Sequence, residues 1–190
     1  MESTLAFQEE LWEERVDGQI VAMSPRPSPN HNRVAFNIAR IFANYLDGRT
    51  CEAIADGTDL YLDEENHFIP DMMVVCDPEQ VGGDGVHGAP DLVVEVLSPT
   101  TAKHDRGRKK DAYERNGVRE YWLVEPVSKM VEQYVLQEGQ LRLHEVYAVH
   151  PEVMLAKMTE QERLAVKKEF RCSLYEDLSI HLEDIFRRVL

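Results

Sequence analysis

Two Pro-Asp pairs, Pro70-Asp71 and Pro90-Asp91, open two apolar runs, HFIPDMMVVC at 67–76 and PDLVVEVL at 90–97. Side chains alternate along a strand, so Asp91, Val93, Glu95 and Leu97 share one face. A carboxylate among Leu92, Val93, Val94, Val96 and Leu97 costs several kcal/mol to bury alone. It needs a cation, a set of donors or a raised pKa. If the strand bearing Asp71 lies beside the strand bearing Glu95, two or three carboxylates converge, and they repel unless positive charge sits between them. Mg2+ takes hard oxygen ligands and keeps several waters. Held this way, it can bind a phosphate oxygen, activate a water and stabilise a leaving oxygen. Spacing alone leaves a structural reading open: Glu95 pairs with a helix Lys or Arg, while Asp71 and Asp91 cap the turns after their prolines.

A basic stretch follows. Residues 103–119 hold seven basic side chains (Lys103, Arg106, Arg108, Lys109, Lys110, Arg115, Arg119) against three acids (Asp105, Asp111, Glu114). Such a stretch could face a phosphate or be a solvated helix face. The whole chain carries a net charge of −14. That argues against a high-affinity, nonspecific nucleic-acid binder, which usually shows a basic surface. Cys51, Cys76 and Cys172 form no CxxC and no Cys/His cluster, so neither a disulfide framework nor a zinc site is expected; thiols in a reducing cytoplasm are. Residues 1–15 are acidic and lack the apolar run of a signal peptide. No stretch is long enough to span a bilayer.

The elements that must position these residues read as one domain over 1–190, a size that buries a core without staples. After an acidic segment at 5–14, RVDGQIVAM at 15–23 is a hairpin turning at Asp17-Gly18. Three alternating prolines make 24–29 a loop. A helix capped by Asn30 or Asn32 runs to Leu46, with Val34, Ile38, Ile41, Phe42 and Tyr45 on one face. Strands are expected at 51–55, 59–62, 67–76 and 90–97, the last central in the sheet. A second helix begins at Thr100 or Thr101 and stops at Asn116-Gly117. Residues 120–125 form a strand, 130–136 and 140–147 a hairpin, and 152–169 an amphipathic helix with Val153, Leu155, Met158, Leu164 and Val166 as its stripe. The expected fold class is α/β (α+β), a mixed central sheet flanked by helices.

The run PDLVVEVLSPTTAKHDRGRKKDAYERNGVREYWLVEP, residues 90–126, resembles the signature block of the Uma-two family of restriction-endonuclease-like proteins. Met23-Ser24-Pro25, His31, Pro70-Asp71 and the ending from Tyr175 through Phe186 fit the same resemblance, which covers most of the chain. It implies a PD-(D/E)xK nuclease core with an N-terminal hairpin, Asp71 as the Pro-Asp aspartate and Glu95 as the strand acid. Asp91 on the same strand is a further candidate ligand for Mg2+ or Mn2+. The pattern wants Lys two residues after the acid, and here that position is Leu97. Lys109 is the candidate replacement, because Asp105, Lys109 and Tyr113 recur at i, i+4 and i+8; Lys103 is the second choice. Glu14, His31 and Tyr113 are additional site candidates, and Arg106, Arg108 and Lys110 would contact substrate. The implied function is metal-dependent hydrolysis of DNA phosphodiesters, as a cytoplasmic homodimer. Two other classes stay open: a non-catalytic binding module on the same fold, and a hydrolase of a small phosphorylated substrate. Ser98 lacks a GxSxG context and the Gly82–Gly85 loop lacks phosphate-binding spacing.

Overall fold

A computed structural model of the chain describes residues 13–22, 26–55 and 57–190. The acidic N-terminal segment up to residue 12 and Met23-Ser24-Pro25 lie outside the described residues.

The chain opens with a hairpin, β1 (Glu13–Val16) and β2 (Gln19–Ala22). Asp17 and Gly18 both take positive φ, 49° and 74°, as the tight turn between two strands of right-handed twist requires. Helix α1 (Pro29–Leu46) follows. Its cap is Ser28 rather than an Asn, with the hydroxyl accepting from His31 N at 3.2 Å, and Pro29 fits the first turn because that N–H would be unpaired anyway. Then come β3 (Glu52–Ala55), β4 (Leu60–Tyr61), β5 (His67–Phe68), β6 (Met72–Val75), β7 (Val86–His87) and β8 (Leu92–Val96). The expected strand over 67–76 is two strands in two sheets. Pro70 has no N–H to give a ladder, and the chain changes sheet across Ile69-Pro70-Asp71.

Helix α2 (Ala102–His104) and helix α3 (Lys110–Arg115) flank a widened turn over Asp105–Lys109. Strands β9 (Glu120–Glu125), β10 (Met130–Gln137) and β11 (Gln140–Ala148) complete the main sheet. The expected helix over 152–169 is instead α4 (Glu152–Leu155), α5 (Glu160–Ala165) and the start of β12 (Glu169–Arg171). Thr159 restarts the helix through a capping box with Glu162, and Val153 and Leu164 of the predicted apolar stripe stay 71% and 81% exposed. No core face was available to that stripe, so its periodicity did not decide the structure. Strand β13 (Ser179–His181) and helix α6 (Leu182–Ile185) end the chain.

The main sheet has the order β11-β10-β9-β8-β6-β3, with β8 and β9 parallel and the other neighbours antiparallel. The smaller sheet has the order β2-β1-β5-β4-β7. Strict alternation sends Met72, Val74, Leu92, Val94, Val96, Trp122 and Val124 to one face of the main sheet, against α1 and the C-terminal segment. The opposite face sends Met73, Val75, Val93, Leu97, Tyr121 and Leu123 against the small sheet and α3. Burial on both faces explains why β8 reads as a nearly unbroken apolar run, and it is central as expected. Glu95 stands on the second face, among residues that must be dry.

The expectation of three thiols needs correction. Cys51 and Cys76 form a disulfide, and Cys172 is the free, buried cysteine. The register Glu52↔Val75 between β3 and β6 makes Cys51 and Cys76 the next opposed pair, with Cα atoms 3.9 Å apart. That proximity follows from strand register and could not be read from residues 25 apart in sequence. Unfolding without reductant should therefore expose one thiol to a chromogenic disulfide reagent, and three after reduction. Loop-closure entropy for that separation predicts a loss of about 3 kcal/mol on reduction, read as a lower urea midpoint.

Candidate functional site

Four segments meet beneath the small sheet: β1, the Ile69–Asp71 crossover, β8 and the widened turn before α3. Each contributes a buried ionisable group. Glu14 points inward from β1 because its neighbours Glu13 and Arg15 take the exposed positions of the alternation. Its Oε1 accepts from Ile69 N at 3.0 Å, which ties the hairpin to the crossover. Asp71 follows Pro70, and its Oδ2 accepts from Val96 N at 2.6 Å. Met72 faces Val94, so Asp71 arrives across from Glu95.

Lys109 enters from the other side. The turn over Asp105–Lys109 departs from helical geometry at Gly107, and Asp105 and Lys109, on either side of it, are both buried. Lys109 Nζ is 2.7 Å from Glu14 Oε1, 3.1 Å from Glu95 Oε1 and 3.7 Å from Asp105 Oδ1. The Tyr113 hydroxyl, one turn along, donates to Glu95 Oε1 at 2.9 Å. The Tyr121 hydroxyl donates to the Asp105 carbonyl at 3.1 Å and fixes the turn to β9. His31, at the start of α1, places Nε2 3.4 Å from Asp71 Oδ1, and its Nδ1 is buried with no hydrogen-bond partner among the described residues.

The electrostatics are lopsided. Glu14, Glu95, Asp71 and Asp105 are each under 9% exposed, as is Lys109. Burial pushes the Glu95 carboxyl well above the usual range; Lys109 pulls it down, while Asp105, Asp71 and Glu14 push it further up. Burial would lower Lys109, but Glu95, Glu14 and Asp105 together raise it above an ordinary lysine, so it remains an ammonium. Burial and then the Glu95 charge raise the Tyr113 phenol, which stays protonated as a donor. Three acids, Glu14, Glu95 and Asp105, thus share one lysine, with Asp71 adding its charge beside Glu95. This is a demand for positive charge, met by oxygen donors of the type a hard divalent cation takes. Asp71 and Glu95 fit such an ion by donor chemistry and by charge. Among the described residues, no three His, Cys, Asp or Glu side chains are already disposed to hold a metal.

Of the candidates named from the sequence, Asp71, Glu95, Lys109, Glu14, His31 and Tyr113 come together. Asp91 does not. It sits before β8 at the far end from Glu95, where Oδ2 accepts from Cys76 N at 2.9 Å and Oδ1 pairs with Arg119 at 3.0 Å. The parity argument gave it the right face, but four residues along a strand is roughly 13 Å. Lys103 is exposed. Arg106 pairs with Glu132 at 2.6 Å, Arg108 donates to Gln19 Oε1 at 3.2 Å, and Lys110 lies 3.5 Å from Glu114, so these three point away from the cluster. Asp105 is the member that sequence reasoning did not propose for the site, although its i, i+4 spacing from Lys109 carried the signal.

The sequence model of a family described as "Uma2: Putative restriction endonuclease" matches residues 3–167. Two relatives come from Synechocystis sp. (strain ATCC 27184 / PCC 6803 / Kazusa). Uncharacterized protein slr1290 is 37% identical over 134 residues, 65% of this chain and 69% of that one. Uncharacterized protein sll1609 is 30% identical over 125 residues, 64% of this chain and 70% of that one. The fold is similar to the crystal structure of "a putative nuclease belonging to DUF820" from Anabaena variabilis ATCC 29413. The TM-score is 0.65 at 17% identity, over 95% of this chain and 93% of that one. At that identity the likeness speaks for the fold, which is restriction-endonuclease-like.

Proposed function

This chain belongs to the Uma2 family, and from that premise we propose that the Glu14–Asp71–Glu95–Lys109 cluster is the centre of a metal-dependent endonuclease that hydrolyses DNA phosphodiester bonds. The observation that carries the reading is Lys109. The strand position where the nuclease pattern holds its lysine is Leu97, yet an ammonium from the neighbouring helix lies 3.1 Å from Glu95. The basic group is therefore present beside the strand acid by another route.

Asp71 and Glu95 would hold Mg2+ or Mn2+, which when bound supplies Lewis acidity and a more acidic water. The chain's own groups do the rest. Lys109 keeps its proton and can donate to a phosphate oxygen as charge develops there. Tyr113 and Glu14 hold Lys109 and Glu95 in register. His31 orients Asp71. Lys103, Arg106, Arg108 and Lys110 belong to the segment that would meet the DNA backbone. We further propose a homodimer, since cutting two strands takes two such centres, and a cytoplasmic location. The Cys51–Cys76 bridge runs against that location, because a reducing cytoplasm keeps thiols apart, so the thiol count above tests the compartment. Among the described residues no helix is long and apolar enough to cross a membrane.

The test is calorimetric titration of Mn2+ and Mg2+ into wild type and Glu95→Gln, with plasmid nicking on the same samples. The expected result is metal binding and nicking in wild type, and in Glu95→Gln metal affinity at least about tenfold weaker with nicking reduced by about 100-fold or more. Binding without nicking would redirect the site to a smaller phosphorylated substrate, for which a net charge of −14 is a lesser obstacle. No metal binding would sink the catalytic reading and leave a binding module.

A further inference from the structure

The Cys51–Cys76 bridge lies at the margin of the main sheet. Strand β3 is the last strand there, so its ladder runs on one side only. Four register pairs, Glu52↔Val75 through Ala55↔Met72, join it to β6, and the bridge lies just beyond the first of them. Both bridged cysteines are half-buried, whereas Cys172 is buried and donates to Glu120 Oε2 at 3.4 Å. The two ends of the bridge differ. The Tyr175 hydroxyl lies 3.7 Å from Cys76 Sγ, and because a bridged sulfur carries no proton, the hydroxyl is the donor. Burial pushes that phenol up to about 12, so it keeps its proton. Cys76 N donates to Asp91 Oδ2 at 2.9 Å, which holds the backbone of this half in place. When the bond is attacked at Cys51, the electron pair leaves on a Cys76 sulfur that already has a hydrogen-bond donor.

The bridge closes a covalent ring from Cys51 to Cys76, and that ring carries much of the candidate centre. It includes β3, β4, β5, β6 and the Ile69–Asp71 crossover. Asp71 is a member of the ring. Ile69 N, also a member, holds Glu14 Oε1 at 3.0 Å, and β6 lies beside β8, which carries Glu95. With the bond intact, β3 cannot separate from β6 at that end. With it open, an edge strand is held by four register pairs and by α1, and short edge elements open locally at the least cost. We propose that Cys51–Cys76 is a thiol–disulfide exchange site for low-mass thiols of the glutathione type, and that the closed bond locks the ring bearing Asp71. A thiolate RS− attacks Cys51 Sγ, the S–S bond breaks, and Cys76 leaves as a thiolate. A second RS− attacks the outer sulfur of the mixed disulfide, giving RSSR and a Cys51 thiolate. Each protein thiolate takes up the proton that its attacker had released, so two RSH supply two electrons and two protons, and RSSR reverses both steps. Register keeps the reduced thiols opposed, so the bond re-forms without refolding. Such a bond fits a reducing cytoplasm, where disulfides are usually transient and redox-sensing. The importance given to Asp71 rests on the nuclease reading; the exchange chemistry does not.

The experiment incubates folded, full-length protein in millimolar reduced glutathione, traps thiols with a maleimide of known mass and counts the labels by mass spectrometry. Before reduction the native protein should take no label, because Cys172 is buried. After it, Cys51 and Cys76 should be labelled and Cys172 should not, with the circular dichroism unchanged. Oxidised glutathione should return the count to zero. No label after reduced glutathione would make the bridge purely structural and overturn the exchange site. Labelling of Cys172 as well, or loss of the dichroism, would mean that the bond opens only by unfolding and would overturn it too. Deuterium exchange then reads the lock. Amides of 69–75 should exchange at least about tenfold faster in the reduced protein and in Cys51→Ser/Cys76→Ser, while those of β9 stay unchanged. Equal exchange at 69–75 in the oxidised and reduced forms would overturn the lock. Neither readout uses metal or DNA. A protein that never nicks plasmid can therefore still pass both, and failure of both leaves the nuclease reading to its own test.

Discussion

Lys109→Met should reduce metal-dependent cleavage by about 1,000-fold or more and should also destabilise the fold by roughly 3–5 kcal/mol. The two effects have one origin. Lys109 is the sole ammonium described within 4 Å of Glu14, Glu95 and Asp105, and all four groups are buried. Methionine fills a similar volume but leaves three carboxyls facing one another without a cation. Breaking a buried ion pair from one side costs more than removing both partners, because the orphaned charge remains desolvated. The double variant Lys109→Met/Glu14→Gln should therefore recover a measurable part of the lost stability. Glu14→Gln removes one charge and keeps a carbonyl for Ile69 N. Urea midpoints give the stability, and nicking per folded molecule gives the activity. The double variant should be folded and inactive, which separates the chemical role of Lys109 from its structural one. Cleavage at the wild-type rate in that folded variant would reduce Lys109 to a counter-ion and remove the main support for the nuclease reading.

How much of this arrangement the sequence revealed depends on the range over which each feature is encoded. Glu95 was legible because a carboxylate in the run LVVEV violates the pattern of a buried strand on its own. Lys109 and Tyr113 were legible because helical spacing is local, and both lie beyond the kink at Gly107. The failures concern longer range. Asp91 has the parity of Glu95, but parity does not say that its end of the strand has its own partners in Arg119 and Cys76 N. The Cys51–Cys76 bridge depends on which strands pair and in what register. The stripe at 153–166 was periodic, yet periodicity shows only that a helix could bury a face, not that a face exists to cover it. The row Ile20–Arg15–His67–Tyr61–His87 across the small sheet is the extreme case: its members are scattered over 73 positions, from Arg15 to His87, and join only through four strand pairings.

A second buried carboxylate shows why burial of charge alone does not mark a site. Glu120 on β9 stands across from Leu92 on β8 and is fully buried, on the opposite face of the main sheet from Glu95. Its surroundings are the reverse of those at Glu95. Oε1 accepts from Trp122 Nε1 and from Gln133 Nε2, each at 2.6 Å. Oε2 accepts from Ser173 N at 2.7 Å, from the Ser173 hydroxyl, and from Cys172 Sγ at 3.4 Å. Every donor is neutral, and no second carboxylate is among these partners. Gln133 passes the network on to the Arg171 carbonyl at 2.9 Å and accepts from the Tyr147 hydroxyl at 3.2 Å, so β9, β10, β11 and the turn after β12 are joined through one side chain. Glu120 has nothing left to offer a ligand, whereas Glu95 is crowded by acids that one lysine does not balance. Glu120→Ala should strand the Trp122, Gln133 and Ser173 donors in a dry interior and cost about 3–5 kcal/mol, since each unsatisfied buried donor carries its own desolvation penalty. For a chain of this size that is a fall in melting temperature of about 10 °C. Glu120→Gln keeps the shape but turns an NH2 toward donors, so it should lie between the two. Nicking per folded molecule should be unchanged in both, because the network lies across the sheet from Lys109. A loss of stability below about 1 kcal/mol in Glu120→Ala would mean that the C-terminal segment is held by its apolar contacts alone. A loss of cleavage in a folded Glu120→Gln would mean that the two faces of the sheet are coupled and that the site extends beyond the cluster around Lys109.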